Sequence, residues 1–236
     1  MASLYLNRLK PAEREALIAS LHANQMMICF ICEQLIDLKV HAGKLDIDHV
    51  VPLSGGGKDD PVNFAVTHQS CNRSKQATHL EVARILSRFE RLKEKLASKN
   101  RNPNLGDVLE QAGGANQKLG FSLSEDELTY SFPEIGDNSL YRVPVYRDEL
   151  SGFRFFFAKL PIEFLAHDDH INPRSIGANI SRLVEEFHKK RPQLHVPLGW
   201  MNSDGKSAIH IFDGQHKAAA QIMLGAKALP VRVFID

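Results

Sequence analysis

The stretch "LDIDHVVPLSGGGKDDPVNF", Leu45 to Phe64, decides how the chain is read. It sets an acid and a histidine, Asp48 and His49, side by side at the end of an apolar run, then spends three glycines before an Asp-Asp-Pro turn. A core strand gains nothing from an ionisable pair there, because a buried charge costs free energy unless it is paired, protonated or bound to a metal. The pair therefore points to catalysis or to metal binding.

Upstream, Cys29 and Cys32 form a C-x-x-C; downstream, His68 and Cys71 form an H-x-x-C. Two such pairs supply four soft or borderline ligands at a spacing that suits one tetrahedral zinc ion, and they use every cysteine of the chain. An odd cysteine count suits a reducing compartment better than a disulfide framework, and a redox C-x-x-C would leave Cys71 unexplained. Closing the zinc brings Cys71 beside the Cys29/Cys32 turn, and so places Asn72 near the strand that carries Asp48 and His49. Asp48, His49, Asn63 and Asn72 then offer a hard oxygen ligand, a base that works near neutrality, an orienting amide and a second oxygen ligand. Magnesium keeps several waters and fits so sparse an oxygen set; together the four residues could activate water against a phosphodiester.

The longer segment "CFICEQLIDLKVHAGKLDIDHVVPLSGGGKDDPVNFAVTHQSCNRSK" resembles the HNH endonuclease family, the ββα-metal nucleases. The likeness lies in the C-x-x-C, the D-H-x-x-P followed by glycines, the central Asn, the second ligand pair and the C-N-x-x-K. It implies that His49 is the general base, that Asn63 positions it, and that Asp48 and Asn72 hold a catalytic Mg2+ or Mn2+. It also implies that Cys29, Cys32, His68 and Cys71 hold a structural Zn2+. His68 stands where this subfamily usually has cysteine. Imidazole is an ordinary zinc ligand, and assignment of His68 to the catalytic metal instead stays open. So does a zinc knuckle that grips DNA or a partner without cutting.

Outward from this core, Pro11 and the residues after it predict a short helix. "MMICFIC", "KLDIDHVVPL" and "NFAVTH" read as strands, and Leu80, Ala83, Leu86, Phe89, Leu92 and Leu96 predict a helix over about 78–100. Between Arg73 and Arg101 stand nine Lys/Arg against three Glu. Arg84, Arg88, Arg91, Lys95 and Lys99 recur at helical spacing, and this stripe with Arg73 and Lys75 is read as a grip on DNA phosphates. A solvated face with ion pairs to Glu90 and Glu94 is the competing reading.

After Asn100 the periodicity is interrupted by Gly, Asn and Pro. Residues 1–100 are therefore read as a nuclease domain with flanking helices, 101–137 as a linker and 138–236 as a second domain. In the latter, "RFFFAKLPI" predicts a strand, and "ANISRLVEEFHKK" an amphipathic helix with Ile180, Leu183, Val184 and Phe187 on one face. "HVPLGWM" and "AIHIFD" predict a hairpin about "NSDGKS". "HKAAAQIMLG" predicts a helix stopped by Gly225, and "ALPVRVFI" a last strand.

The run Asp213, Gly214, Gln215, His216, Lys217, Ala219 and Ala220 resembles the core of the ParB/sulfiredoxin-like superfamily, and the DGQHR signature of proteins linked to DNA modification and defence. The resemblance implies a small α/β domain whose strand-to-helix turn binds nucleotide phosphates. Amide donors of a helix starting near Gln215, with His216 and Lys217 beside them, suit an anion. Lys217 stands in place of the usual Arg and lacks its bidentate fork.

The expected architecture is α+β: a ββα-metal module with structural zinc, followed by a ParB/sulfiredoxin-like α/β domain. The expected activity is metal-dependent hydrolysis of DNA in restriction or defence. A nucleotide-regulated, partition-like DNA-binding protein with a non-catalytic zinc module is the alternative. A net charge of +1 favours no partner by itself. The N-terminus has neither a signal-peptide h-region nor a membrane-length apolar run, so a soluble cytoplasmic protein without membrane association is expected. A homodimer would suit double-strand cutting, though no heptad run is long enough to demand one.

Overall fold

The computed structural model describes residues 3–75, 78–192 and 195–236. It divides into two units, Met1–Glu94 and Lys95–Asp236. Each mixes helix with sheet, so the chain is α+β. Among the described residues no helix is long and apolar enough to cross a membrane.

The first unit opens with α1 (Leu4–Arg8), capped by Ser3, whose Oγ accepts from Leu6 N–H. Pro11 then starts α2 (Pro11–Asn24), where its missing donor costs nothing. The chain next forms an antiparallel pair, β1 (Leu45–His49) and β2 (Phe64–His68), in a register that sets His49 against Phe64 and Leu45 against His68. Next along the chain are α3 (Gln69–Lys75) and α4 (Leu80–Ala97). The core joins Leu21, Ile36, Ile47, Phe64, Val66 and Leu80 to the buried Cys29.

"MMICFIC" is not a strand. Its only ladder contact is an isolated bridge between Ile28 and Leu35. Met26, Met27 and Glu33 take positive φ, and Cys29 N–H donates to Gln34 C=O while Glu33 N–H donates to Cys29 C=O. Two thiols three residues apart can face one point only if the backbone turns between them, and extended geometry is given up for that turn.

The second unit contains α5 (Leu105–Ala112), β3 (Leu119–Leu123), β4 (Glu127–Phe132), β5 (Asp137–Pro144), β6 (Tyr146–Arg147), β7 (Arg154–Pro161) and β8 (Leu165–His167). It continues through α6 (Ile180–His188), β9 (Leu198–Met201), β10 (Lys206–Ser207), β11 (Ile209–Asp213), α7 (Gln215–Met223) and β12 (Ala228–Ile235). One sheet runs β10-β3-β4-β5; the other is mixed, in the order β6-β7-β12-β9-β11-β8. The predicted hairpin is present as the antiparallel pair β9 and β11, with β10 in its connection reaching β3.

Residues 101–137 are not a linker: they fold into α5, β3 and β4 within the second unit. The glycines and asparagines read as breakers are element boundaries. Asn104 caps α5 in a reciprocal box with Asp107, and Gly113 ends it at φ +92°.

Candidate metal centre and active site

The ligand atoms of Cys29, Cys32, His68 and Cys71 lie within 4.8 Å of one another. Cys32 Sγ is 3.4 Å from His68 Nδ1, and His68 N–H donates to Cys29 Sγ at 3.4 Å. Burial pushes the Cys71 thiol up to about 12, and the neighbouring Cys29 and Cys32 add to the shift. Burial also raises Cys32 and, with His41 beside it, lowers His68. The thiols hold their protons because burial and mutual repulsion disfavour thiolates; a central Zn2+ would offset that repulsion, draw off the protons and accept the neutral imidazole beside them. The donor set therefore fits zinc.

Period-two alternation sends Asp46 and Asp48 to the face of β1 that meets α3, and Ile47 and His49 to the buried face. On the α3 side, Asn72 Nδ2 donates to Asp46 Oδ2 at 3.1 Å, and Lys75 Nζ lies 2.7 Å from Asp48 Oδ2. Asp48 Oδ1 accepts from His49 N–H at 2.8 Å. Asp48 and Asn72 are thus on one carboxylate-rich face, which suits a small hard cation.

His49 stands on the other side, its Nε2 3.0 Å from Asp59 Oδ1 and its ring edge-on to Phe64. Asn63 does not touch it. Its Oδ1 accepts from Val51 N–H, and its Nδ2 donates to Val51 C=O and Lys58 C=O, so it staples the glycine loop. The staple explains Gly57: a Cβ there would lie 1.9 Å from Val51 O and 2.9 Å from Asn63 Nδ2. Asp60 caps the turn Pro61–Asn63 through Val62 N–H, which leaves Asp59 to face His49. The expected convergence of Asp48, His49, Asn63 and Asn72 thus resolves into two adjoining groups, with Asn63 acting on the loop and not on the ring.

The basic stripe is not a row of free cations. Arg84, Arg88 and Arg91 all reach Glu33 in the C-x-x-C turn; Arg88 does so with two bonds. Arg84 also donates to Phe30 C=O and lies 3.9 Å above that ring, while Arg91 donates to Cys32 C=O. Three guanidinium groups on one carboxylate leave excess positive charge beside the C-x-x-C turn. Arg73 sits on α3 next to Asn72.

In the second unit, Asp213 ends β11 and Gly214 takes φ +73°, where a Cβ would meet Pro197 Cα at 2.9 Å. Gln215 turns inward, its Nε2 donating to Asn172 C=O, and His216 Nε2 accepts from Gly177 N–H. Burial, with Arg174 nearby, lowers His216. These two side chains are engaged in holding the 172–177 segment, while Lys217 joins Arg174, Arg182 and Arg232 around a cavity of about 850 Å3. Arg174, Arg182, Arg232, Asp46, Asp59 and Glu33 were not anticipated. Only Asp46 had a legible signal, its spacing of two from Asp48.

Residues 29–78 match the model of the HNH endonuclease family, described as "HNH endonuclease". No curated protein matches the chain.

Proposed function

We propose that residues 29–78 are the catalytic core of a metal-dependent DNA endonuclease. The observation that carries this is the meeting of the β1-β2-α3 unit, which carries the Asp46/Asp48/Asn72 face and a buried His49, with the preceding C-x-x-C turn in a Cys3His cluster, within the segment that matches the HNH family. A zinc module made only to bind has no need of the last two.

In this reading His49 removes a proton from the attacking water, and Asn63 keeps the loop that faces it closed. Asp48 and Asn72 would hold Mg2+ or Mn2+, which when bound stabilises charge on the departing 3′ oxygen and so yields 5′-phosphate ends. Arg73, Arg84 and Arg88 grip the duplex through phosphates, the last two as part of the cluster around Glu33; Lys75, read from the sequence as a fourth contact, is instead 6% exposed and paired with Asp48. The setting is restriction or defence in the cytoplasm, with a homodimer where both strands are cut.

The test is cleavage of supercoiled plasmid with Mg2+, Mn2+ or EDTA, by the zinc-loaded protein and its His49→Ala variant. Divalent-dependent nicking in the wild type and a drop of about 100-fold or more in the variant are expected. Equal activity in both would end the assignment. No cutting by either, with retained DNA affinity, would favour the partition-like binding protein.

The cavity of the second unit supports a regulatory anion site of the ParB-like kind, in which Asp213 and Gly214 shape the turn, Gln215 and His216 hold the wall and Lys217 contacts phosphate. Titration calorimetry of the whole chain with ATP and CTP should give binding that Arg182→Ala weakens by roughly tenfold, the worth of one charge-assisted bond. Absence of heat with either nucleotide would remove the nucleotide and leave the cavity to a nucleic-acid phosphate.

A further inference from the structure

We infer that Asp59, held by the N-terminal segment of the chain, is a positioning residue that fixes the tautomer and aim of the His49 imidazole. Its part in cleavage rests on the nuclease reading above; the tautomer does not.

An ionised carboxylate can only accept a hydrogen bond, so the nitrogen facing it must carry the hydrogen. Asp59 is kept ionised: hydrogen bonds from Ser3 Oγ and Tyr5 N–H, with His49 adding to them, hold its carboxyl down to about 2. Nε2, 3.0 Å from Asp59 Oδ1, is therefore the N–H donor. That leaves the lone pair on Nδ1, for which no hydrogen-bond acceptor or donor is found among the described residues.

Asp59 is itself clamped from far along the chain. Ser3 Oγ donates to its Oδ1 at 2.6 Å, Tyr5 N–H donates to its Oδ2 at 2.9 Å, and Ser3 Oγ accepts in turn from Leu6 N–H. The same segment braces the ring's other support. Tyr5 meets Phe64 edge-on at 5.5 Å, and Phe64 meets the His49 ring edge-on at 4.9 Å. With its side chain only 10% exposed, His49 has little room to turn. Residues 3–6 thus act as a strap on the Asp59 carboxylate itself, beside the Asn63 staple that holds the neighbouring Lys58 carbonyl.

The chemical consequence is definite. One O–H bond of water breaks as a hydrogen forms its bond to Nδ1, the freed electron pair forms the new P–O bond, and the P–O3′ pair leaves with the 3′ oxygen. The Asp59 charge faces the imidazolium so produced, which lowers the cost of forming it.

The experiment uses the full zinc-loaded chain with 15N-labelled histidine, at mildly alkaline pH, as wild type, Asp59→Asn and Ser3→Ala. His49→Ala assigns the resonance. The wild-type ring is expected to be protonated at Nε2. In Asp59→Asn the amide can donate, so the ring should shift to the Nδ1–H form, with kcat lower by roughly 10- to 100-fold and the KM for DNA and zinc content unchanged. Ser3→Ala should move both readouts the same way by a few-fold. A wild-type ring protonated at Nδ1, or an Asp59→Asn protein with unaltered tautomer and kcat, overturns the inference. If wild type and His49→Ala cut plasmid equally, the nuclease reading fails, and the 15N spectrum still decides whether Asp59 sets the ring.

Discussion

Cys71→Ser is expected to release the zinc ion and unfold the first unit. The sheet of this unit pairs β1 with β2, and the core beneath it includes Cys29, fully buried, so a candidate zinc ligand is also a core residue. Binding of a structural zinc is worth about 10–16 kcal/mol at neutral pH, comparable to or larger than the whole stability of an ordinary domain at about 5–15 kcal/mol. Without the ion, three thiols and an imidazole are left crowded in a half-dry pocket, where burial first and the neighbouring Cys29 and Cys32 second push the Cys71 thiol up to about 12. Elemental analysis should fall from one zinc per chain to nearly none, and the cooperative transition of the first unit should vanish from the calorimetric trace. His68→Cys should keep the zinc, since thiolate and imidazole are both good ligands. A His68→Ala protein that retains one zinc and loses only Mg2+-dependent cleavage would hand His68 to the catalytic metal instead.

The parts legible in the sequence are those whose chemistry is local. Cys29, Cys32, His68 and Cys71 announce themselves by spacing, and the structure clusters their ligand atoms. The β1 and β2 strands, the helix from Pro11 and the α7-to-β12 turn follow from alternation, proline and glycine signals. What stayed hidden depends on partners far apart in the chain. Asp59 reads as half of an Asp-Asp-Pro turn until Ser3 and Tyr5, more than fifty residues away, are seen to hold it. Glu33 looks like a solvated residue, yet its positive φ and three arginines from α4 make it the buttress of the knuckle. The false linker at 101–137 has a different cause. Boundary residues such as Asn104 and Gly113 read as breaks in periodicity that mark a linker, when they cap a helix of only eight residues, too short for its periodicity to stand out.

Asp48→Asn separates metal binding from base catalysis in the nuclease reading. The amide keeps an oxygen able to accept from His49 N–H, so the strand end should hold its shape. What is lost is the charge, and that charge has two uses. One is to neutralise Lys75, whose side chain is 6% exposed and 2.7 Å from Oδ2. Lys75 has further interactions, and Asp46 shares the face, so the loss of stability should be about 1–3 kcal/mol and leave the protein folded. The other use is to anchor the divalent cation, whose charge stabilisation of a phosphoryl transition state is worth several kcal/mol, or at least about 100-fold in rate. Cleavage at fixed, low Mn2+ should fall by that factor and recover in part as Mn2+ is raised, because a weakened site can still be filled by mass action. His49→Ala should behave in the opposite way: its deficit persists at every metal concentration, since no quantity of cation replaces a missing proton acceptor. Single-turnover rates measured across a Mn2+ series for both variants distinguish the two patterns. An Asp48→Asn enzyme within threefold of wild type throughout would take Asp48 out of the ligand set and leave it as the ion-pair partner that fixes Lys75 and α3 against β1.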